Sequence, residues 1–256
     1  MKISVITPVL NGEKFIRQTV ESVLSQKGPF ELEYIVRDGC SSDGTLAILA
    51  EYGDRIKVVS QKDGSPQEAI NRGLSEASGD IGAWLNADDI YLPGTLAKVV
   101  ETFSSKPSAQ WLYGRCSIIG GDGAEIRKPV TLYKELLGYF SSRNVLLCEN
   151  YISQPATFWR MDFWRSLGGL SSPWKAAWDY ELWLKMSSLS KPLAVHSRLA
   201  SFRRHPNSIS ENFTQRQFQE ELSIAKMHGN CLHYSIHAFN SWKIVAAYKL
   251  LNALGK

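Results

Sequence analysis

The sequence predicts an α/β protein built on a mostly parallel sheet flanked by helices, and three observations carry that reading. Apolar, strand-like runs begin at Ile3, Leu32, Ile56 and Ile81, about every 25 residues, with helical spacing between them, which is the rhythm of βαβ crossovers. The run over residues 81–85 is apolar at every position, as a strand covered on both faces must be. Three of these runs end in polar, turn-forming residues, and open parallel sheets bind ligands at the carboxyl ends of their strands.

The elements follow in order. Residues 3–9 form the first strand, Asn11-Gly12 turns the chain, and Phe15, Ile16, Val20, Val23 and Leu24 recur at helical spacing. A strand over 32–36, a short helix over 46–52 and a strand over 56–60 come next. Ala69, Ile70, Gly73, Leu74 and Ala77 share one helical face. The strand at 81–85 runs into Asn86-Ala87-Asp88-Asp89, and Pro93 opens a helix carrying Leu96, Val99, Val100 and Phe103. Beyond it, residues 111–119, a turn at 120–123 and residues 124–128 read as a β-hairpin. Residues 153–160 read as a strand, 178–188 as a helix, and 193–198 as a strand leading to Phe202-Arg203-Arg204-His205. From Glu211 the pattern is helical, with Trp242, Val245, Tyr248, Lys249 and Asn252 three or four apart. No Pro/Gly/Ser linker divides the chain and no internal repeat occurs, so we read one domain over 1–210, in halves 1–120 and 121–210, with a helical C-terminal tail over 211–256.

Composition narrows the function classes. With 256 residues, 44% hydrophobic and 21% charged, the chain is neither disordered nor fibrous. Cys40, Cys116, Cys148 and Cys231 have no zinc-ligand spacing and read as free thiols of a reducing compartment. The N-terminus enters a strand at once rather than a signal peptide, and no run of about 18 apolar residues spans a bilayer, so a cytoplasmic location is expected. The net charge of +4 is too slight to suggest nucleic acid and is unevenly placed: residues 198–256 carry eight Lys/Arg against three Glu, a net of +5, and the rest is at −1. Basic residues mixed with Tyr234, Phe239, Trp242, Ile244 and Val245 suit a helix lying on the anionic inner face of a membrane. They equally suit one packed on its own domain or on a second subunit.

The chemistry-bearing residues sit at strand ends. They are Thr7-Pro8-Val9-Leu10-Asn11-Gly12, Asp38-Gly39-Cys40-Ser41-Ser42-Asp43-Gly44-Thr45 and Asn86-Ala87-Asp88-Asp89. No G-x-G-x-x-G follows the first strand and no G-x-x-x-x-G-K-[ST] occurs, so dinucleotide and P-loop readings lack their phosphate cradles. Paired acids such as Asp88 and Asp89 suit Mg²⁺ or Mn²⁺ shared with substrate phosphates, or else cap the next helix. Five tryptophans, Trp159, Trp164, Trp174, Trp178 and Trp183, crowd into 25 residues. Trp174 and Trp178 are candidates for an acceptor platform stacked on sugar faces, and the other three for the core.

In order and spacing these motifs resemble family 2 glycosyltransferases, and the resemblance continues through Gln154-Pro155-Ala156-Thr157-Phe158-Trp159-Arg160 and Trp178-Asp179-Tyr180-Glu181-Leu182 to Phe202-Arg203-Arg204-His205. It implies a GT-A-type, Rossmann-like fold, with a nucleotide-sugar-binding half over 1–120 and an acceptor and catalytic half over 121–210. It places Thr7, Pro8 and Val9 along the donor pocket, Asp38 on the donor's base, and Asp63 and Asn71 among further donor contacts. Asn86 and Asp88 fall at the ribose, and Asp88 and Asp89 at a divalent cation bridging the diphosphate, Mn²⁺ or Mg²⁺. His205 completes the metal shell or touches the diphosphate. Asp179 matches the general base, with Glu181 as rival, and Gln154 runs beside the acceptor. The family's acidic motif often reads D-x-D, and here Asn86 holds its first position. The expected reaction is inverting transfer of a sugar from a nucleoside diphosphate, by family usage a UDP-sugar, to a saccharide or lipid-linked saccharide. The rivals are a sugar nucleotidyltransferase, which wants a Gly-rich basic loop after the first strand, and a non-catalytic nucleotide-sugar-binding relative.

Overall fold

The structure, a computed structural model, describes residues 1–170, 173–206, 208 and 214–253. An eight-stranded mixed sheet runs in the order β3-β2-β1-β4-β7-β6-β8-β5. Its elements are β1 (Lys2–Val9), α1 (Ile16–Leu24), β2 (Glu31–Asp38), α2 (Thr45–Ala50), β3 (Lys57–Ser60), α3 (Pro66–Glu76), β4 (Ile81–Trp84), β5 (Ile90–Tyr91), α4 (Thr95–Ser105), β6 (Trp111–Ile119), α5 (Lys128–Phe140), α6 (Arg143–Cys148), β7 (Thr157–Arg160), α7 (Met161–Leu167), α8 (Trp178–Leu189), β8 (Leu193–Arg203), α9 (Thr214–His228) and α10 (Cys231–Ala253).

The β1, β2, β3 and β4 neighbours pair in parallel, as the crossover rhythm predicts, and β7 then pairs antiparallel with both β4 and β6. Val9 pairs with Asp38 and Ile6 with Trp84, so the segments that follow β1, β2 and β4 leave the sheet at one edge. Alternation along β1 sends Ile3 and Val5 to a core under α1 and α4, and Ile6 to a second core under α3 and α8. The second core is built on tryptophan. Trp84 stacks on Trp183 at 5.8 Å and on Trp178 at 5.4 Å, and Trp159 on Trp164 at 5.0 Å.

The structure corrects three elements of the second half. The predicted hairpin does not form. Ile119 and Glu125 make one isolated bridge, Arg127 turns the chain with a left-handed φ of 52°, and Pro129 begins α5 in the first turn, where its missing N–H costs nothing. The predicted strand at 153–160 starts with a single 3₁₀ turn and is extended only from Thr157. The strand at 193–198 continues to Arg203, through the buried Leu199 and Ala200.

The predicted onset of the tail at Glu211 lies outside the described residues, as do the side chains of Tyr248, Lys249 and Asn252. Where it is described, the tail packs on the body. Asn240 Nδ2 donates to the Cys148 carbonyl, and Leu147 O lies 3.0 Å from the buried His237 Nδ1. The opposite face of α10, with Leu232, Ile236, Phe239 and Trp242, is exposed. So is a stripe on α5 formed by Leu132, Leu136, Tyr139 and Phe140. No described helix is long and apolar enough to cross a membrane.

Candidate active site

The strand ends open into one cleft of about 1070 Å³. Pro8, Val9, Asp63, Asn86, Asp88, Gln154, Trp178, Asp179 and His205 all line it, so residues spread over nearly 200 positions meet in one place. Sequence spacing alone did not guarantee that.

The first wall is the β1 and β2 loops with the start of α3. Ser65 caps α3 by accepting from the Glu68 N–H, and Glu68 Oε2 accepts from the Gly64 N–H, which fixes Gly64, Ser65 and Pro66 on the cleft. Asp63 lines the wall with its carboxylate bracketed by Arg72 at 3.1 Å and the buried Arg37 at 3.7 Å. Asp38 is turned away from the cleft: its carboxylate accepts from the Cys40 and Ser41 N–H groups and the Ser60 hydroxyl, and it is fully buried beneath its own loop. Thr7 is also buried behind the wall, its hydroxyl 3.0 Å from Tyr34 Oη. Asn71 does not reach the cleft. Its amide spans the Leu170 backbone, donating to the carbonyl and accepting from the N–H, because α3 must hold that turn against the second core.

The floor is the acidic turn after β4. Asp88 Oδ2 lies 3.0 Å from His205 Nε2. Asp89 differs from its predicted role as a metal ligand. It is fully buried; Oδ1 accepts from the Arg203 N–H at 2.8 Å, and Oδ2 from Asn86 Nδ2. Burial, and then the neighbouring Asp88 charge, push its carboxyl above the usual range, against the hydrogen bonds from Arg203 and Asn86 through which it anchors the turn. Arg203 is the matching anchor that sequence reasoning missed. Its guanidinium donates to the Asp88 carbonyl, the Gly120 carbonyl and Gln18 Oε1, joining the end of β8 to the acidic turn and delivering His205 two residues later. Gln154 joins the same floor by donating to the Trp84 carbonyl and accepting from Asn86.

Among the described residues no group of three or more His, Cys, Asp or Glu side chains gathers as a metal centre. The Asp88–His205 pair still fits Mg²⁺ or Mn²⁺. One carboxylate and one imidazole facing a cleft are a donor set that such a cation completes with phosphate oxygens and water.

The far wall comes from α5, the segment that follows α6, the start of α8, and α9. Asp179 lies in the first turn of α8 and accepts from the Tyr180 N–H. Burial pushes its carboxyl up to about 6, partly opposed by that hydrogen bond and reinforced by the Glu221 charge. Glu181 points away to Lys185, as the helical angle between the two requires. Trp178 lends only an edge to the cleft, because its ring is stacked in the tryptophan core, and Trp174 does not line the cleft. The expected acceptor platform is thus mostly core.

Glu220 on α9 sets where Asp179 sits. Its carboxylate accepts from the backbone N–H groups of Lys175, Ala176 and Ala177, the residues leading into α8, whose own N-cap position offers no side-chain acceptor. Those hydrogen bonds, with one from Arg216, outweigh burial and hold the Glu220 carboxyl below the usual range. Glu149, Asn150, Gln217, Glu221 and Lys134 also line this end of the cleft. No motif marks them, since they come from three separate helical regions of the chain.

The family model for glycosyl transferase family 2 matches residues 4–163. The chain belongs to glycosyl transferase family 2. A family member from Mycobacterium tuberculosis, described as an uncharacterized glycosyltransferase, is 29% identical over 204 residues, covering 78% of this chain and 74% of that one. TuaG of Bacillus subtilis, named for teichuronic acid biosynthesis, is 37% identical over 130 residues, 49% of this chain and 51% of TuaG. Among solved structures, S. aureus TarS 1–349 with UDP matches at a TM-score of 0.64 and 21% identity, covering 89% of this chain. This chain spans 65% of that TarS chain. The mannosyltransferase PcManGT of Pyrobaculum calidifontis, solved with GDP-Man and Mn²⁺, matches at 0.72 and 18% identity, covering 99% of this chain and 74% of that one. The fold of this glycosyltransferase is therefore GT-A.

Proposed function

We propose that the protein transfers a sugar from a nucleoside-diphosphate donor, a UDP-sugar, to a hydroxyl acceptor in polysaccharide or glycan assembly, with inversion. The observation that carries the reading is the single cleft holding the Asp88–His205 pair on its floor and Asp179 on its far wall. The β1 loop, Gly39, Asp63 and Gly64 line the part of the cleft where the donor's nucleoside would sit. The complexes of TarS with UDP and UDP-GlcNAc, and of PcManGT with GDP-Man, support a nucleotide-sugar donor, and the TuaG name supports polysaccharide assembly.

Asp88 and His205 would hold the divalent cation, Mn²⁺ or Mg²⁺. When bound, it offsets charge on the departing diphosphate. Asp179 receives the acceptor's proton. The hydroxyl oxygen forms its bond to C1 as the bond from C1 to the diphosphate oxygen breaks. The electron pair leaves on the diphosphate and the proton passes to Asp179, so one displacement inverts C1. A carboxyl at about 6 is a carboxylate at neutral pH while still basic enough for the task. The exposed apolar faces of α5 and α10, with no acid in residues 231–253, support a protein that meets an anionic membrane at the cytoplasmic face, beside a lipid-linked acceptor.

The test is release of nucleoside diphosphate from a panel of UDP-, GDP- and dTDP-sugars with Mn²⁺. At least one donor turns over, and Asp88→Asn abolishes its metal-dependent binding. Failure of every donor to bind contradicts the reading.

A further inference from the structure

Past Asp179, the cleft ends in a polar corner that the chemistry above does not use. Glu149 and Asn150 follow α6, are each about nine-tenths buried, and line the cleft together with Gln217 and Glu221 of α9. Most of the corner's polar atoms are satisfied within the protein. Glu221 accepts from Asn150 Nδ2 and Gln217 Nε2 and lies 3.8 Å from His237 Nε2. Two atoms are not satisfied: Glu149 Oε2 and Asn150 Oδ1 have no hydrogen-bond partner. A buried polar atom left without a partner is costly and calls for one. Both residues line the cleft, so a small turn of the Glu149 carboxyl about its broad terminal torsion, and of the Asn150 amide about its hydrogen bond to Glu221, opens each oxygen to a ligand there.

We propose that Glu149 and Asn150 form the acceptor subsite for an uncharged pyranose, each pairing its orphaned oxygen with a sugar hydroxyl. The inference rests on the glycosyl-transfer reading and adds the acceptor's class. A hydroxyl both donates and accepts, so it suits each oxygen. Asn150 Oδ1 can only accept. Glu149, pushed up to about 7 by burial and then by the Glu221 charge, against the opposing charges of His237, Lys134 and Lys243, carries a proton to donate over much of the neutral range. An acceptor residue bearing a carboxylate or phosphate meets the charges of Asp179 and Glu221, with Lys134 as the cation among the described cleft residues at this end.

The experiment measures transfer by the full chain, with its donor and Mn²⁺, to p-nitrophenyl hexopyranosides and to the matching hexopyranosiduronic acids. The hexosides are used with KM at least tenfold below that of the uronides. Glu149→Ala and Asn150→Ala each raise the hexoside KM tenfold or more while the donor KM stays within twofold, and Glu149→Gln, which keeps an N–H donor, restores most of the loss. Thermal melting separates these effects from unfolding. Equal use of uronides, use of uronides alone, use of neither class, or an unchanged hexoside KM in both alanine variants overturns the subsite. Absence of any donor turnover by the unaltered protein would instead overturn the glycosyl-transfer reading itself.

Discussion

Replacing Glu220 by alanine removes the acceptor that gathers the N–H groups of Lys175, Ala176 and Ala177 at the start of α8. Hydrogen bonds to a charged group contribute about 1.5–3 kcal/mol each, and loss of a helix N-cap costs about 1–2 kcal/mol. The lead-in residues are partly exposed, so water re-solvates some freed N–H groups. The half-exposed Arg216 pair adds little. The net expectation for Glu220→Ala is a loss of about 2–4 kcal/mol, read as a shift in the urea midpoint. Asp179 stands two residues past this clamp, so kcat falls at least tenfold at temperatures where the variant stays folded, while the donor KM changes less than threefold. Glu220→Gln, which keeps one acceptor oxygen, recovers part of both losses. A carboxyl held below its ordinary 4.5 adds stability above about 4.5, lost as pH falls through its lower folded value. Glu220→Ala should therefore lose less stability on acidification than the unaltered protein. A variant within 0.5 kcal/mol of the parent, with the same kcat, would refute the clamp.

Three further outcomes follow from the same contacts. Glu149, raised from 4.5 to about 7, holds its proton more tightly in the folded state, so its contribution is full below about 4.5 and is lost as pH rises through about 7. At 1.36 kcal/mol per pH unit this is about 3 kcal/mol, and urea melts should show Glu149→Gln gaining that much on the parent between pH 4 and pH 8; a pH-independent difference contradicts it. Asp89→Ala, which strips the acceptor from the Arg203 N–H and Asn86, destabilises by roughly 2–3 kcal/mol in the same assay, and a neutral outcome would mean the acidic turn is not anchored there. The protein sediments with anionic vesicles but not with phosphatidylcholine alone, and Phe239→Glu with Trp242→Glu releases it. No binding by the intact chain ends the membrane reading.

The first half was legible because a parallel sheet imposes one pattern on the chain: apolar strands, helices at regular intervals, polar residues at the carboxyl ends. The second half obeyed no such repeat. Helix α5 was hidden because Leu132, Leu136, Tyr139 and Phe140 face outward, so its apolar stripe does not mark a core, and Gly120-Gly121-Asp122-Gly123 imitates a hairpin turn. At the site, a strand-end acid could be located but not aimed. Asp88 and Asp179 face the cleft, whereas Asp38 turns back to its own loop and Asp89 to Arg203, a choice made by backbone N–H groups that only the folded chain brings near. Glu220 and Glu221 left no motif, because the contacts that tie them into the site, Ala177 for Glu220 and Asn150 for Glu221, lie 43 and 71 positions away in sequence.

The measurement that bears most directly on the account is the comparison of Asp179→Asn with the unaltered protein for donor binding and for transfer. Asparagine keeps the oxygen that accepts from the Tyr180 N–H, so the fold and the donor affinity should persist. Transfer should fall by about 10²–10⁴, the usual share of a general base. In the unaltered protein kcat should rise with pH through about 6, and that limb should vanish in the variant. Full transfer by Asp179→Asn, with the same pH profile, would contradict the assignment of the far wall of the cleft as the catalytic one.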